Sequence, residues 1–132
     1  MTLETHSYWD LLINRSVSRF FLLAALAKGP KHGYQLAKAV EEATDACCTP
    51  SAAMIYPALK ELMEQGYIVC NVERTGARER KVCTLTPQGW RVYHTAARSW
   101  RRIIPALEQA VQAAEGAERR SHALDAAPSA AP

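Results

Sequence analysis

The spacing of apolar and polar positions changes along the chain, and each change marks an element. Between Ser7 and Asn14, Trp9, Leu12 and Ile13 recur at i, i+3 and i+4, the face of a short helix. From Ser16 to Lys28 the pattern is apolar nearly all round (Val17, Phe20, Phe21, Leu22, Leu23, Leu26), as in a helix at the centre of a small core. Gly29-Pro30 closes it. A third helix, from about Tyr34 to Thr44, sets Leu36, Ala37 and Val40 against Lys38, Glu41 and Glu42. Thr49-Pro50-Ser51 has the chemistry of a helix start, and a fourth helix then runs to Gln65, with Gly66 at its end. Its inner positions are Ile55, Leu59, Leu62 and Met63. Pro57 removes a backbone hydrogen bond, so this helix is expected either to begin near Ala53 or Met54 or to be kinked in its first turn.

Past Gly66 the period falls from 3.6 to 2. Tyr67 to Glu73 and Arg80 to Leu85 are strand-like, joined by a loop from Arg74 to Glu79. Pairing symmetric about Gly76 and Ala77 sets Ile68 opposite Leu85, Cys70 opposite Cys83 and Val72 opposite Lys81 on one face. Thr86 as N-cap and Pro87 as first helical residue then open the last helix. In it Trp90, Tyr93, Ala97, Trp100, Ile104, Leu107 and Val111 recur in alternating steps of three and four, a heptad seam longer than one small core requires. The seam is therefore expected to meet a second copy of the chain, with a kink near Pro105. Four segments follow: 1–15, an N-terminal helix packing on the dimer interface; 16–86, a helical domain ending in the hairpin; 87–115, a dimerisation helix; and 116–132, a disordered tail without period.

Composition narrows the class. The chain has 132 residues, 48% hydrophobic and 22% charged, enough for one hydrophobic core and too short for a two-domain enzyme. The longest apolar run, Phe20 to Ala27, falls far short of the roughly 20 residues that span a bilayer, and no charged leader precedes it, so a cytoplasmic protein with no membrane partner is expected. Charge is uneven. The stretch from Arg74 to Arg102 carries +7 and leaves −4 on the rest, the footprint of a phosphate-backbone binder or of solvated helix faces. The pattern is mainly α with a small β-hairpin: a winged helix-turn-helix followed by a C-terminal dimerisation helix.

Four motifs in order sharpen this reading: Gly29-Pro30-Lys31-His32-Gly33-Tyr34-Gln35-Leu36, then Ile55-Tyr56-Pro57-Ala58-Leu59-Lys60-Glu61-Leu62, then Gly66-Tyr67-Ile68, then Leu85-Thr86-Pro87-Gln88-Gly89. Together they resemble the PadR family of transcriptional regulators from about Val17 to Val111. The resemblance implies a homodimeric repressor of a double-stranded DNA operator, joined through its C-terminal helices, with the single such helix of the compact subgroup. Where that family usually carries Gly-Thr, this chain has Ala53-Met54. Candidate DNA-binding residues are Ser51, Tyr56 and Lys60 of the recognition helix and Arg74, Arg78, Arg80 and Lys81 of the wing. Some compact members stack planar aromatic ligands on a tryptophan of the last helix, and Trp100 stands at the matching place. His32 reads as a hydrogen-bonding turn residue.

The cysteines are a separate signal. In a cytoplasmic chain all four are expected to be reduced thiols rather than a disulfide framework. Cys47 and Cys48 adjoin the recognition helix and Cys70 and Cys83 belong to the hairpin, so all lie in the DNA-reading half, either as small packing residues or as an effector site. No cofactor is required by any motif; a thiophilic metal or metalloid ion, or an oxidant, is the candidate small effector, with the aromatic ligand at Trp100 as the alternative. An enzyme is not expected. No histidine is placed to serve a nucleophilic cysteine, and neither a phosphate loop nor an HExxH motif occurs. A winged-helix protein-protein adaptor remains as a different class, since it would keep the seam without needing a basic wing.

Overall fold

The structure, a computed structural model, describes residues 2–44 and 52–126. Ser51, Cys47 and Cys48 lie outside the described residues. Helix α1 (His6–Ala27) is continuous, where two helices were expected to meet near Arg15. Nothing there breaks a helix: Ser16 turns its hydroxyl back to the Ile13 carbonyl at 2.8 Å, a bond made within helical geometry. One i, i+4 row, Asn14, Ser18, Leu22 and Leu26, is buried, so polar and apolar halves share a single inward stripe.

Helices α2 (Gly33–Ala43) and α3 (Ala52–Glu64) pack on α1, and the core gathers Leu22, Leu23 and Leu26, Leu36 and Val40, Ile55, Leu59 and Leu62, closed by Ile68 and Cys83 of the sheet. Pro57 lies within α3, which begins at Ala52 despite the lost N–H. Its end is a Schellman cap: Gly66 N–H donates to Met63 O at 3.1 Å and Tyr67 N–H to Leu62 O at 2.9 Å. That geometry needs a left-handed residue, and Gly66 has φ 81°.

Three antiparallel strands follow the order β1-β3-β2, with β1 Lys31–His32, β2 Ile68–Thr75 and β3 Arg78–Leu85. The two residues of β1 are too few to show a period in the sequence. The register is the one expected from symmetry, with Ile68↔Leu85, Cys70↔Cys83 and Val72↔Lys81. The strands nevertheless run further than expected, leaving only Gly76 and Ala77 in the turn. Charges that suggested a loop are cross-strand pairs of opposite sign, Glu73↔Arg80 and Arg74↔Glu79. Gly76 has φ 66°, the sign that two-residue hairpin turns demand.

The hairpin cysteines are joined as a disulfide, Cys70–Cys83, rather than standing as reduced thiols. Register explains the pairing: Thr75↔Arg78 closes a two-residue turn, and alternation from it makes Cys70↔Cys83 a pair without mutual ladder bonds, where strands come closest, here with 3.9 Å between Cα atoms.

Helix α4 (Pro87–Ala126) starts under the expected cap, the Gly89 N–H donating to Thr86 Oγ1 at 3.0 Å. It also continues past residue 115, where a tail was expected, to Ala126. Gly116 is the poorest helix former across that stretch, and Ala, Glu and Arg around it outweigh its cost of about 1 kcal/mol. The chain divides into two compact units, Met1–Ala96 and Ala97–Pro132. In the first, Val92 and Tyr93 pack on the core and Tyr93 stacks on Phe20 with 5.8 Å between ring centres. In the second, the described residues are helical through Ala126, and Ile104, Leu107 and Val111 are about half exposed.

Candidate nucleic-acid interface

Burial of one face of α3 decides what its other face offers. Ile55, Ala58, Leu59 and Leu62 are in the core, so Tyr56 and Lys60, one turn apart, share the outer face, and Tyr56 is 54% exposed. The Lys60 ammonium is 3.9 Å from Glu64 in an exposed pair, which costs little to open. An aromatic ring with a hydroxyl and a cation in an exposed pair, on the helix that comes after a short helix in the chain, suit the groove and backbone of a duplex.

The wing supplies the charge. All side chains from Asn71 to Lys81 are exposed. Alternation along the register sets Arg74 and Lys81 on the face that continues the core and Arg78 and Arg80 on the opposite face, so the four cations flank the hairpin instead of forming one patch. Arg74 pairs with Glu79 at 2.7 Å. Arg80 has its Nη1 3.4 Å from Nε2 of His32, at the N-cap of α2. His32 makes hydrogen bonds as expected, its backbone N–H donating to Gln35 Oε1 at 3.1 Å, but it does so from the end of β1 and the N-cap of α2 and not from a turn. The contact also ties the wing to the start of α2, which the sequence did not disclose.

Tyr34 escaped the sequence reading as a site residue. At 73% exposure it is among the most open large side chains, and the signal was present, since it falls opposite Leu36 and Val40 on α2. Of the seam residues, Trp90, Ile104, Leu107 and Val111 are exposed by 41–53%, whereas Tyr93, Ala97 and Trp100 are partly buried. Among the described residues no group of three or more His, Cys, Asp or Glu side chains gathers to hold a metal ion, and no helix is long and apolar enough to cross a membrane.

Three helices in this order, closed by a three-stranded sheet whose last two strands form a charged hairpin, define a winged helix-turn-helix protein. The family model described as the transcriptional regulator PadR-like family matches residues 22–95, and the chain belongs to that family. Its members are described as transcriptional regulators, which sets the enzyme class aside. The transcriptional regulator YqjI of Escherichia coli is 41% identical over 71 residues, covering 54% of this chain and 33% of that one. The negative transcriptional regulator PadR of Bacillus subtilis is 30% identical over 79 residues, covering 59% of this chain and 43% of that one. The chain thus spans between a third and a half of the length of these relatives. A crystal structure of Bacillus subtilis PadR in complex with operator DNA aligns with a TM-score of 0.55 and 29% identity, over 61% of this chain and 46% of that one.

Proposed function

We propose that the chain is a homodimeric repressor that binds a double-stranded operator through α3 and the wing and is released by a small effector. The observation that carries the reading is the exposure of four basic side chains on a hairpin beside an α3 face bearing Tyr56 and Lys60. The relative named as a negative regulator and the related structure bound to operator DNA support the sign and the partner. Tyr34 joins the proposed phosphate contacts, and Ser51 keeps the role proposed from sequence. Half-exposed Ile104, Leu107 and Val111 support a second copy against α4, because a heptad seam left open to water is an aggregation surface. Thiol chemistry at Cys47 and Cys48, through a soft metal ion, a metalloid or an oxidant, is the proposed effector class, Cys70 and Cys83 being joined already as a disulfide; a planar aromatic compound at Trp100 is the outcome that would replace it.

The test uses a duplex selected by the full chain from a random pool, with a scrambled duplex as control. Affinity for both should fall steeply as salt rises. Ala at Arg74, Arg78, Arg80 and Lys81 together should weaken both and flatten the salt slope by about one unit for each phosphate no longer neutralised. Salt-independent binding, or none, sinks the function; parent-like binding by the fourfold variant sinks the wing.

A further inference from the structure

We infer that Cys70 and Cys83 form a redox modification site for hydroperoxides, and that its disulfide form holds duplex DNA more tightly than its dithiol form. This rests on the DNA-binding reading above.

Position makes the pair interconvertible. Because Cys70 and Cys83 face each other across the ladder at its closest approach, both states keep the same register, and only the bond between the sulfurs changes. The two thiols are not equivalent. Cys70 is on β2, an edge strand, and is partly open to solvent; Cys83 is on the central strand, 2% exposed and part of the core. Cys70 is therefore the thiol that meets the oxidant and Cys83 the one that resolves it. Lys31 lies opposite Cys83 on β1, so the row across the sheet reads Lys31, Cys83, Cys70.

The chemistry closes. The Cys70 thiolate attacks the peroxide oxygen, giving a sulfenic acid and an alkoxide or hydroxide that takes a proton. The Cys83 sulfur then attacks Cys70 Sγ, forming the disulfide and expelling water. Two thiols are oxidised by two electrons, and one hydroperoxide is reduced to an alcohol, or to water, plus the water expelled.

Coupling to DNA follows from what the bond encloses. All four wing cations lie between the two cysteines in sequence, and every residue from Asn71 to Lys81 is exposed, so that part of the hairpin is held mainly by its own ladder and by the Arg80 contact with His32. At the base, the Cys70 sulfur sits 3.7 Å from the Met63 sulfur of α3. Closing the bond fixes the base of the cation-bearing loop beside α3, so less ordering remains to be done when DNA binds.

The experiment uses the full chain carrying Cys47→Ser and Cys48→Ser, exposed in turn to dithiothreitol, hydrogen peroxide and dithiothreitol again. Intact mass and alkylation read the pair; affinity for the selected duplex at about 0.15 M salt reads the consequence. Peroxide should remove two hydrogens and tighten binding about tenfold, reversibly. Cys70→Ser and Cys83→Ala should abolish the response, and a sulfenic-acid trap should label Cys70 in the Cys83→Ala protein. Should either variant fail to fold, the reduced and oxidised forms of the parent still decide the matter. Persistent alkylation of both thiols after peroxide, a bond that dithiothreitol cannot open in the folded chain, or affinities equal within about twofold each overturn the inference. Equal, salt-sensitive binding in both forms removes only the redox site, whereas no duplex binding in either form removes the function on which it rests.

Discussion

Thr86 ties the end of α3 to the start of α4 through one hydroxyl. Its Oγ1 donates to the Gly66 carbonyl at 2.6 Å, just past α3, and accepts the Gly89 N–H at 3.0 Å, capping α4. Its own N–H donates to the Tyr67 carbonyl at 3.1 Å. Thr86→Val keeps the shape and removes only the hydroxyl. Gly89 is buried, so its N–H would lose the cap with no water to replace it, at about 1–2 kcal/mol. Gly66 is exposed, so water recovers most of the second bond, and the remainder adds about 0.5 kcal/mol. The expected loss is about 2 kcal/mol, or roughly 8–16 °C in melting temperature for a unit of this size. Urea unfolding at one fixed protein concentration reads it, since association with a second copy would shift the midpoint. Thr86→Ser should stay within about 0.5 kcal/mol of the parent. If the Val and Ser proteins unfold together at the parent midpoint, the hydroxyl does not join these elements as described.

Other expectations come from single contacts. A Cβ at Gly89 would run into the Tyr67 carbonyl, so Gly89→Ala should cost about 3 kcal/mol in the same unfolding assay, a loss that no side-chain rearrangement relieves. Leu36 is wholly buried, and Leu36→Ala should cost about 2–5 kcal/mol, against less than about 0.5 kcal/mol for Tyr34→Ala on the open side of the same helix. Ile104→Asp with Leu107→Asp should give a monomer by sedimentation and abolish tight duplex binding while leaving the helical circular dichroism of the first unit intact; a dimer that survives both changes refutes the seam.

Much of the local structure was legible because it rests on neighbouring residues. The α4 cap needs only Thr86 and Pro87 in order, and the hairpin register needs only a turn to be symmetric about. Once register is known, so is the division of the wing cations between two faces. What escaped depends on contacts far apart in sequence or on stabilities that no pattern displays. The strand β1 exists because Lys31 and His32 meet Cys83 and Val82, some fifty residues on. The His32–Arg80 contact and the Thr86–Gly66 bond are of the same kind. Residues 116–126 lack a hydrophobic period yet are rich in helix formers, so propensity prevails there where periodicity is silent.

The unbroken α1 has a mechanical consequence. Trp9, Leu12 and Ile13 are 40–49% exposed near one end, and Leu22, Leu23 and Leu26 are at most 3% exposed toward the other. At 1.5 Å per residue, Trp9 stands ~21 Å along the axis from Leu23. A rigid rod pivoting about its buried end by about 5° carries Trp9 sideways by ~2 Å, and the same rotation run backwards concentrates force on the leucines among which α2 and α3 are seated. Load applied at Trp9 therefore has no hinge in which to dissipate before it arrives beneath the helix that bears Tyr56 and Lys60.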